Sequence, residues 1–381
     1  MRRLKGRPFL TAALLAALVI GGCAQTGPSR NQQANYTPPT EIGSNMADSL
    51  SRHRAAAISI GVIRDGTLVW NGIFGEQGQS IAATNKTMFN VASLAKPITA
   101  ELTMRLVSAG KISLDEIVSD TFVDADLVDD PRHRKLTPRL LLSHQSGLPN
   151  WRFDRSAMKL AFIADPGTAF TYSGEGYEYL RRFIEKKTGR SFESLVQQIV
   201  FDPIGMKQSS FSEHDWMRGN IAQPKNRDGE YKGPDLQKTG KPNAADNLFT
   251  TVEDYAAFML SMVRNDSLSR EVADQRQRVQ IVMPPVSACQ PKTWQSGVPD
   301  CPTVTNFTLG WTAYHFGERV VLSNSGMDWG EFALVYIDAK TRDGMLFFVN
   351  GGNGVPVVMD AMALLDADSP VAAFGRAQMR Q

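Results

Sequence analysis

Cysteine is scarce in this chain, with three in 381 residues, and histidine is little used, with five. The histidines are scattered, and no Cys-x-x-Cys or paired-histidine spacing accompanies Cys23, Cys289 or Cys301. That excludes the usual zinc patterns, and no metal is expected. An excess of one charge is lacking too: 41 Lys and Arg face 39 Asp and Glu, for a net charge of +2. Beyond the N-terminus no Lys/Arg cluster is interleaved with aromatics, so nucleic acid is not an expected partner. There is no internal repeat, which excludes a solenoid. The apolar stretch Phe9 to Ile20 is too short and wrongly flanked to span a membrane.

What is present is ample core material. The chain is 42% hydrophobic and 21% charged, enough for a large core in one or two domains. Arg2, Arg3, Lys5 and Arg7 precede the apolar stretch as the positive region of an export signal. Ile20-Gly21-Gly22-Cys23 then resembles a bacterial lipobox, in which cleavage leaves the cysteine N-terminal and lipidated. Residues 1–23 are therefore read as a lipoprotein signal with Cys23 as the lipidation site. The alternative is an ordinary signal peptide with a chance cysteine. Ala24 in place of Asp points to the outer membrane if the host has two membranes. Stable anchoring takes more than one acyl chain. Residues 24–45, polar and carrying Pro28, Pro38 and Pro39, read as a flexible tether. Export implies an oxidising compartment, where Cys289 and Cys301 are expected to pair. Such a bridge contributes about 3 kcal/mol on the loop-entropy account.

The expected domain covers residues 46–368, with a short tail over 369–381. A helix is predicted from Met46 to Arg54, then a hairpin with strands Ala56 to Ile63 and Thr67 to Phe74 around Asp65-Gly66. From Ser93 to about 245 the pattern is mostly helical, with helices at Tyr177 to Lys187 and Ser194 to Val200. Thr251 to Val263 reads as another, with Glu253 and Asp254 in its first turn. Strand composition returns over Phe307 to His315, Arg319 to Ser323, Glu331 to Tyr336 and Gly344 to Asn350, before a helix at Gly354 to Leu365. The fold class is thus α/β (α+β). One antiparallel sheet is built from the N- and C-terminal segments, and a helical lobe is inserted between them. The cleft between two such lobes is a natural ligand site.

Three Ser-x-x-Lys pairs occur: Ser93 with Lys96, Ser108 with Lys111, and Ser156 with Lys159. On a helix this spacing puts hydroxyl and amine on one face, about a turn apart. A neutral amine there can take the serine proton and make a nucleophile. Burial or a second cation favours the neutral form of a lysine in general. Ser108 precedes Ala109-Gly110, a helix C-terminus, and Ser156 lies in a polar run. Only Ser93 leads into an apolar stretch, with Ile98, Leu102 and Leu106. That local pattern alone is equally that of an N-capping serine. A second candidate is Phe170-Thr171-Tyr172-Ser173-Gly174-Glu175. A tyrosine beside a lysine ammonium loses its proton more readily, although a core tyrosine with one hydrogen bond has the same local sequence.

Further segments carry a resemblance. Leu136-Thr137-Pro138-Arg139-Leu140-Leu141-Leu142-Ser143-His144-Gln145-Ser146-Gly147-Leu148-Pro149 is one, and Asn247-Leu248-Phe249-Thr250-Thr251-Val252-Glu253-Asp254 another. Tyr177-Glu178-Tyr179-Leu180, Thr188-Gly189 and Pro203-Ile204-Gly205-Met206 fall between them. With Ser93, Lys96 and Tyr172 in order, the chain resembles the penicillin-recognising serine hydrolases of the class C β-lactamase-like family over about residues 46–366. The resemblance implies an acyl-enzyme on Ser93 without metal or organic cofactor. Lys96 is then the acylation base and Tyr172 the relay and deacylation base. The backbone N–H groups of Ser93 and Met327 form the oxyanion hole, and His144 is structural.

Two departures bear on substrate. The family's Tyr-x-Asn holds a substrate amide through its asparagine, and here that position is Gly174. The family's third motif is a Lys-Thr-Gly or His-x-Gly on a strand. The literal Lys238-Thr239-Gly240 lies in a polar loop-like run, too early in the chain. Asn324-Ser325-Gly326, after Val320-Val321-Leu322, is the better match and replaces the cation with neutral Asn324. The expected substrate is a small uncharged ester or amide, in the cell envelope. D-alanyl-D-alanine carboxypeptidase work on peptidoglycan stems, β-lactamase activity, and a catalytically silent ligand-binding protein are the alternatives.

Overall fold

The computed structural model describes residues 36–154, 156–231, 242–285, 289 and 301–379. The signal, Cys23, most of the tether and the Lys238-Thr239-Gly240 segment lie outside them. In chain order the strands are β1 (Ala57–Arg64), β2 (Thr67–Gly78), β3 (Ile81–Ala82), β4 (Phe89–Asn90), β5 (Phe249–Thr250), β6 (Ile281–Val282), β7 (Val304–Phe307), β8 (Thr312–Phe316), β9 (Arg319–Asp328), β10 (Glu331–Asp338) and β11 (Gly344–Val349). Among the described residues β4 and β5 form a small ribbon. The other nine make one antiparallel sheet in the order β3-β2-β1-β11-β10-β9-β8-β7-β6.

The two ends of the chain meet inside this sheet, where β1 pairs with β11 in the register Ile58↔Val349 to Ile63↔Gly344. Both strands are buried along their length because both faces are covered. Side chains alternate between faces. Met345, Phe347 and Val349 pack with Met46, Leu50, Val357 and Val358 from α1 (Ile42–His53) and α9 (Gly354–Leu365). Leu346 and Phe348 face the other core, with Val252 and Tyr255 of α7 (Val252–Arg264). Burial of each such side chain is worth roughly 1.5–3 kcal/mol. The hairpin between β1 and β2 turns at Asp65 and Gly66, with φ of 49° and 71°. Two successive positive φ values give the turn whose twist suits a two-residue hairpin.

Between the sheet segments lie α2 (Ala95–Ser108), α3 (Pro138–Leu142), α4 (Gly174–Thr188), α5 (Phe192–Val196) and α6 (Asp202–Ile204), with several 3₁₀ turns. Helix α2 is buried from Ala95 to Leu106, on every face. Its polar residues are therefore partnered: Glu101 accepts from Arg105 Nε at 2.9 Å and from Arg276 at 2.8 Å. Arg276 belongs to α8 (Arg270–Gln277).

Three expectations change. Residues 370–379 are not a tail but helix α10 (Pro370–Met379), whose Phe374 is buried against Tyr314 and Phe316. Helix α1 begins at Ile42, inside the expected tether, because Ile42 packs on the sheet with Met46. The strand expected over Phe307 to His315 is broken into β7 and β8 by a turn in which Gly310 has φ of 95°. Cys289 and Cys301 are bridged, with Cα atoms 5.8 Å apart.

Candidate active site

The chain enters α2 through a tight turn that fixes Ser93. Val91 N–H bonds the Leu248 carbonyl at 2.9 Å, and Ala92 N–H bonds Asn90 Oδ1 at 3.0 Å. Ala92 has φ of 47°, a left-handed conformation costing about 1–2 kcal/mol for an L-residue. Such strain persists only where the surroundings enforce it. Ser93 sits in the 3₁₀ turn Ala92–Leu94, and the helix proper starts at Ala95 with Leu94 as its N-cap residue. Ser93 is thus not the N-cap. Pro97 still falls in the first turn, where its missing N–H costs nothing.

Lys96 lies one turn on and is 1% exposed. Its Nζ donates to Ser93 Oγ at 2.8 Å and to the Ala245 carbonyl at 2.8 Å. The same Nζ stands 4.8 Å from the centre of the Tyr172 ring and 5.9 Å from that of Tyr177. Tyr172 is 39% exposed, whereas Tyr177 is buried and donates to the Leu142 carbonyl at 2.8 Å. Burial holds the Tyr177 phenol well above its ordinary range, so Tyr177 stays a neutral donor. The structure therefore brings Ser93, Lys96 and Tyr172 together.

The third segment meets them through β9. At Gly326 the strand lies so close to the Ser93 turn that a Cβ would stand 2.0 Å from the Val91 carbonyl oxygen and 2.9 Å from Ser93 N. Only glycine fits. Met327 follows, paired in register with Phe332, and is exposed at the strand surface. Ser325 is exposed. Asn324 turns aside: its Nδ2 donates to the Gly310 carbonyl at 3.1 Å and its Oδ1 accepts from Ser325 N at 2.8 Å. Of the other Ser-x-x-Lys pairs, Ser108 ends α2 and Ser156 is exposed surface.

His144 supplies what its sequence context did not disclose. It is fully buried, and it brackets Tyr172 with two hydrogen bonds. Thr171 N–H donates to its carbonyl at 2.7 Å, and Ser173 N–H donates to its Nδ1 at 3.0 Å. Nδ1 is then an acceptor, which places the ring proton on Nε2. The ring lies 4.4 Å from that of Tyr172. Burial, then the charge of Lys96, hold its pKa well below the ordinary value, so it remains neutral. Glu175 does not enter the cleft, because both its carboxylate oxygens accept from Arg152. On the far side, Asp246 follows the Lys96-bonded Ala245. Burial, then the charge of Asp328, push its carboxyl up to about 6, with Lys96 opposing.

Among the described residues no group of three His, Cys, Asp or Glu could hold a metal ion, and no helix is long and apolar enough to cross a membrane. The arrangement has the parts of a nucleophilic serine with an adjacent amine and a packed backbone strand.

Known proteins are similar to this chain. The chain is 29% identical over 187 residues to penicillin-binding protein 4 of Amycolatopsis lactamdurans, covering 45% of this chain and 49% of that one. It is 27% identical over 186 residues to the lovastatin esterase of Penicillium rubens, covering 38% and 46%. The chain thus spans less than half the length of these curated relatives. The octameric penicillin-binding protein homologue from Pyrococcus abyssi shares the fold, with a TM-score of 0.69 at 23% identity over 86% of this chain and 77% of that one. The family model described as Beta-lactamase matches residues 42–369, and the chain belongs to that family of serine hydrolases.

Proposed function

We propose that the protein is a cell-envelope serine hydrolase that cleaves small uncharged esters or amides through an acyl-enzyme on Ser93. The observation that carries this reading is Lys96 Nζ, 2.8 Å from Ser93 Oγ and 4.8 Å from the Tyr172 ring. The Ser93 Oγ proton passes to Lys96 Nζ along the 2.8 Å contact while Oγ bonds the substrate carbonyl carbon, a step that proceeds from the amine form of the lysine. The leaving alcohol or amine departs with a proton returned through Lys96 and Tyr172. Water then attacks the acyl carbon, giving a proton to Tyr172 as Tyr172 hands its own to the Lys96 amine, and Lys96 returns that proton to Ser93 Oγ as the acyl bond breaks and the acid is released. The backbone N–H groups of Ser93 and Met327 hold the developing oxyanion. Support comes from the closeness of Gly326 to Ser93 N. One such donor is worth about 10²–10³ in rate.

Substrate choice follows from two missing contacts. Position 174 has no side chain, and Asn324 is neutral and bonded to Gly310. A β-lactam loses a charge-assisted contact to its carboxylate and a hydrogen bond to its side-chain amide, about 1.5–3 and 0.5–1.5 kcal/mol. Relative to a site with both, kcat/KM falls roughly 30- to 2,000-fold. Steady-state assays should show clear turnover of a p-nitrophenyl ester and slow or no turnover of a penicillin or cephalosporin. Efficient β-lactam turnover with negligible esterase activity would overturn the preference.

The envelope address rests on Ile20 to Cys23, a proposal about residues beyond those described. Cys23→Ser should move the protein from the membrane to the soluble envelope fraction. Retention of a normally processed variant in membranes would remove the lipid anchor.

A further inference from the structure

The turn that follows Pro149 sets two aromatic rings at the start of α4, where Trp151 lies against Gly174, two residues from Tyr172. Trp151 and Phe153 stack with centroids 5.4 Å apart and planes 13° apart, and Phe153 is 58% exposed. Arg152, between them, is committed elsewhere. It reaches Glu175 with Nε at 3.0 Å and Nη2 at 2.9 Å, Asp124 at 2.8 Å and Asp126 at 3.0 Å. These charge-assisted bonds hold the Arg152 pKa above its ordinary value and pin the middle of the turn. Asn150 adds two ties to the start of α4: Oδ1 accepts from Gly174 N at 3.0 Å and its carbonyl from Glu175 N at 2.9 Å. The pair of rings is thus held in place without a ligand, which reduces the ordering cost of binding one.

The backbone shows which way this platform faces. Ser173 is extended, with φ −144° and ψ 110°, so residues 172 and 174 project to one side and Ser173 to the other. Ser173 is fully buried, with Oγ donating to the Pro149 carbonyl at 2.7 Å and accepting from Gly176 N at 2.8 Å. On the opposite side Tyr172 meets Lys96. Position 174 projects to that side as well, and a Cβ there would strike the Trp151 indole at 2.6 Å. The indole edge therefore fills the space next to Tyr172 that a side chain at 174 would occupy, and Phe153 continues it outward.

We infer that Trp151 and Phe153 form an aromatic subsite, continuous with Tyr172, that takes a planar aryl group of the ester or amide substrate. The inference rests on the acyl-serine reading of Ser93. A flat ring extends the existing stack in the offset geometry aromatic pairs prefer. A saturated ring of the same size gains contact area without that geometry.

The test uses two matched ester series. Phenylacetyl is compared with cyclohexylacetyl on one leaving group, and benzyl with cyclohexylmethyl on one acid. Phe153→Ala should lower the aryl-to-saturated ratio in kcat/KM about two- to tenfold in at least one series. Phe153→Leu should lower it too, and Phe153→Tyr should restore it, which a general loss of packing would not. Gly174→Asn, which drives the indole from its place, should lower the same ratio. Ratios unchanged in both series for Phe153→Ala and Gly174→Asn overturn the subsite. A fluorophosphonate separates the two readings. Labelling of Ser93 in the wild type with unchanged ratios removes the subsite alone, whereas absence of labelling removes the acyl-serine reading beneath it.

Discussion

Ser93→Ala should abolish ester turnover and labelling by a fluorophosphonate probe together, with a loss on the order of 10⁴–10⁶-fold in kcat. The size follows from the role: without Oγ there is no covalent intermediate, and what survives is binding and the oxyanion donors. Lys96→Met should cost about 10²–10⁴-fold, the range for a positioned proton acceptor. Methionine keeps the buried volume of a side chain that is 1% exposed, so the fold should persist and the loss should appear in kcat. Ser108→Ala and Ser156→Ala are the controls, since one ends α2 and the other is exposed surface. Both should turn over ester as the wild type does. Retention of a tenth or more of the activity by Ser93→Ala, or loss in either control, would remove Ser93 from the nucleophile's place.

Local sequence made some of this site legible and not the rest. Ser93 and Lys96 were readable because their spacing is a helical turn, and the apolar residues behind them announced a buried helix. What separated a nucleophile from a helix cap was the turn before it. Its Ala92 φ of 47° depends on Asn90 and on Leu248, more than 150 residues away. No local pattern carries that. The carbonyl of Ala245 that receives Lys96 has no side-chain signal at all, because it is backbone. His144 could be read as structural, but its hold on both sides of Tyr172 arises from an αL backbone (φ 56°). Periodicity does not report that conformation. Helix α2 shows the same limit on a larger scale. Glu101 and Arg105 are buried in it, and Glu101 is partnered by Arg276, which arrives from α8 and has no signal near Glu101 in the sequence. The Asp65-Gly66 hairpin was legible because its chemistry is contained in two residues. Helix α10 was not, because what orders it is Phe374 against Tyr314 and Phe316, a tertiary contact. That one sheet unites segments from both ends of the domain followed from strand composition there, whereas the pairing of β1 with β11 and its register depend on which side chains each face buries in the fold.

Stability should fall as pH rises from about 4.5 to about 8, and Glu331→Gln should remove most of that fall. Glu331 opens β10, 5% exposed, directly across the hairpin from Asp328 at the end of β9. Burial, then the charge of Asp328, push its carboxyl from the ordinary 4.5 up to about 8. The Gly330 N–H bond to Oε2 at 3.2 Å opposes this, and Asp246 adds to it. The sign is fixed by proton counting. Between those two values the unfolded chain has released the Glu331 proton and the folded chain keeps it, so raising pH favours unfolding. The slope for one such group is at most about 1.4 kcal/mol per pH unit, a total on the order of a few kcal/mol across the window. That is a large share of the 5–15 kcal/mol by which domains are typically stable. Below pH 4.5 both states hold the proton and the group contributes no slope. Above 8 both have lost it and the destabilisation is complete. Glutamine keeps the shape and a hydrogen-bonding oxygen and cannot ionise. Urea unfolding of wild type and Glu331→Gln from pH 5 to 9 should give curves that converge at the acid end and separate above pH 7, with the variant more stable. Parallel curves would mean that Glu331 does not hold its proton in the fold. The group sits on the hairpin that carries Gly326 and Met327 to Ser93, so the same separation should appear in the alkaline limit of ester turnover.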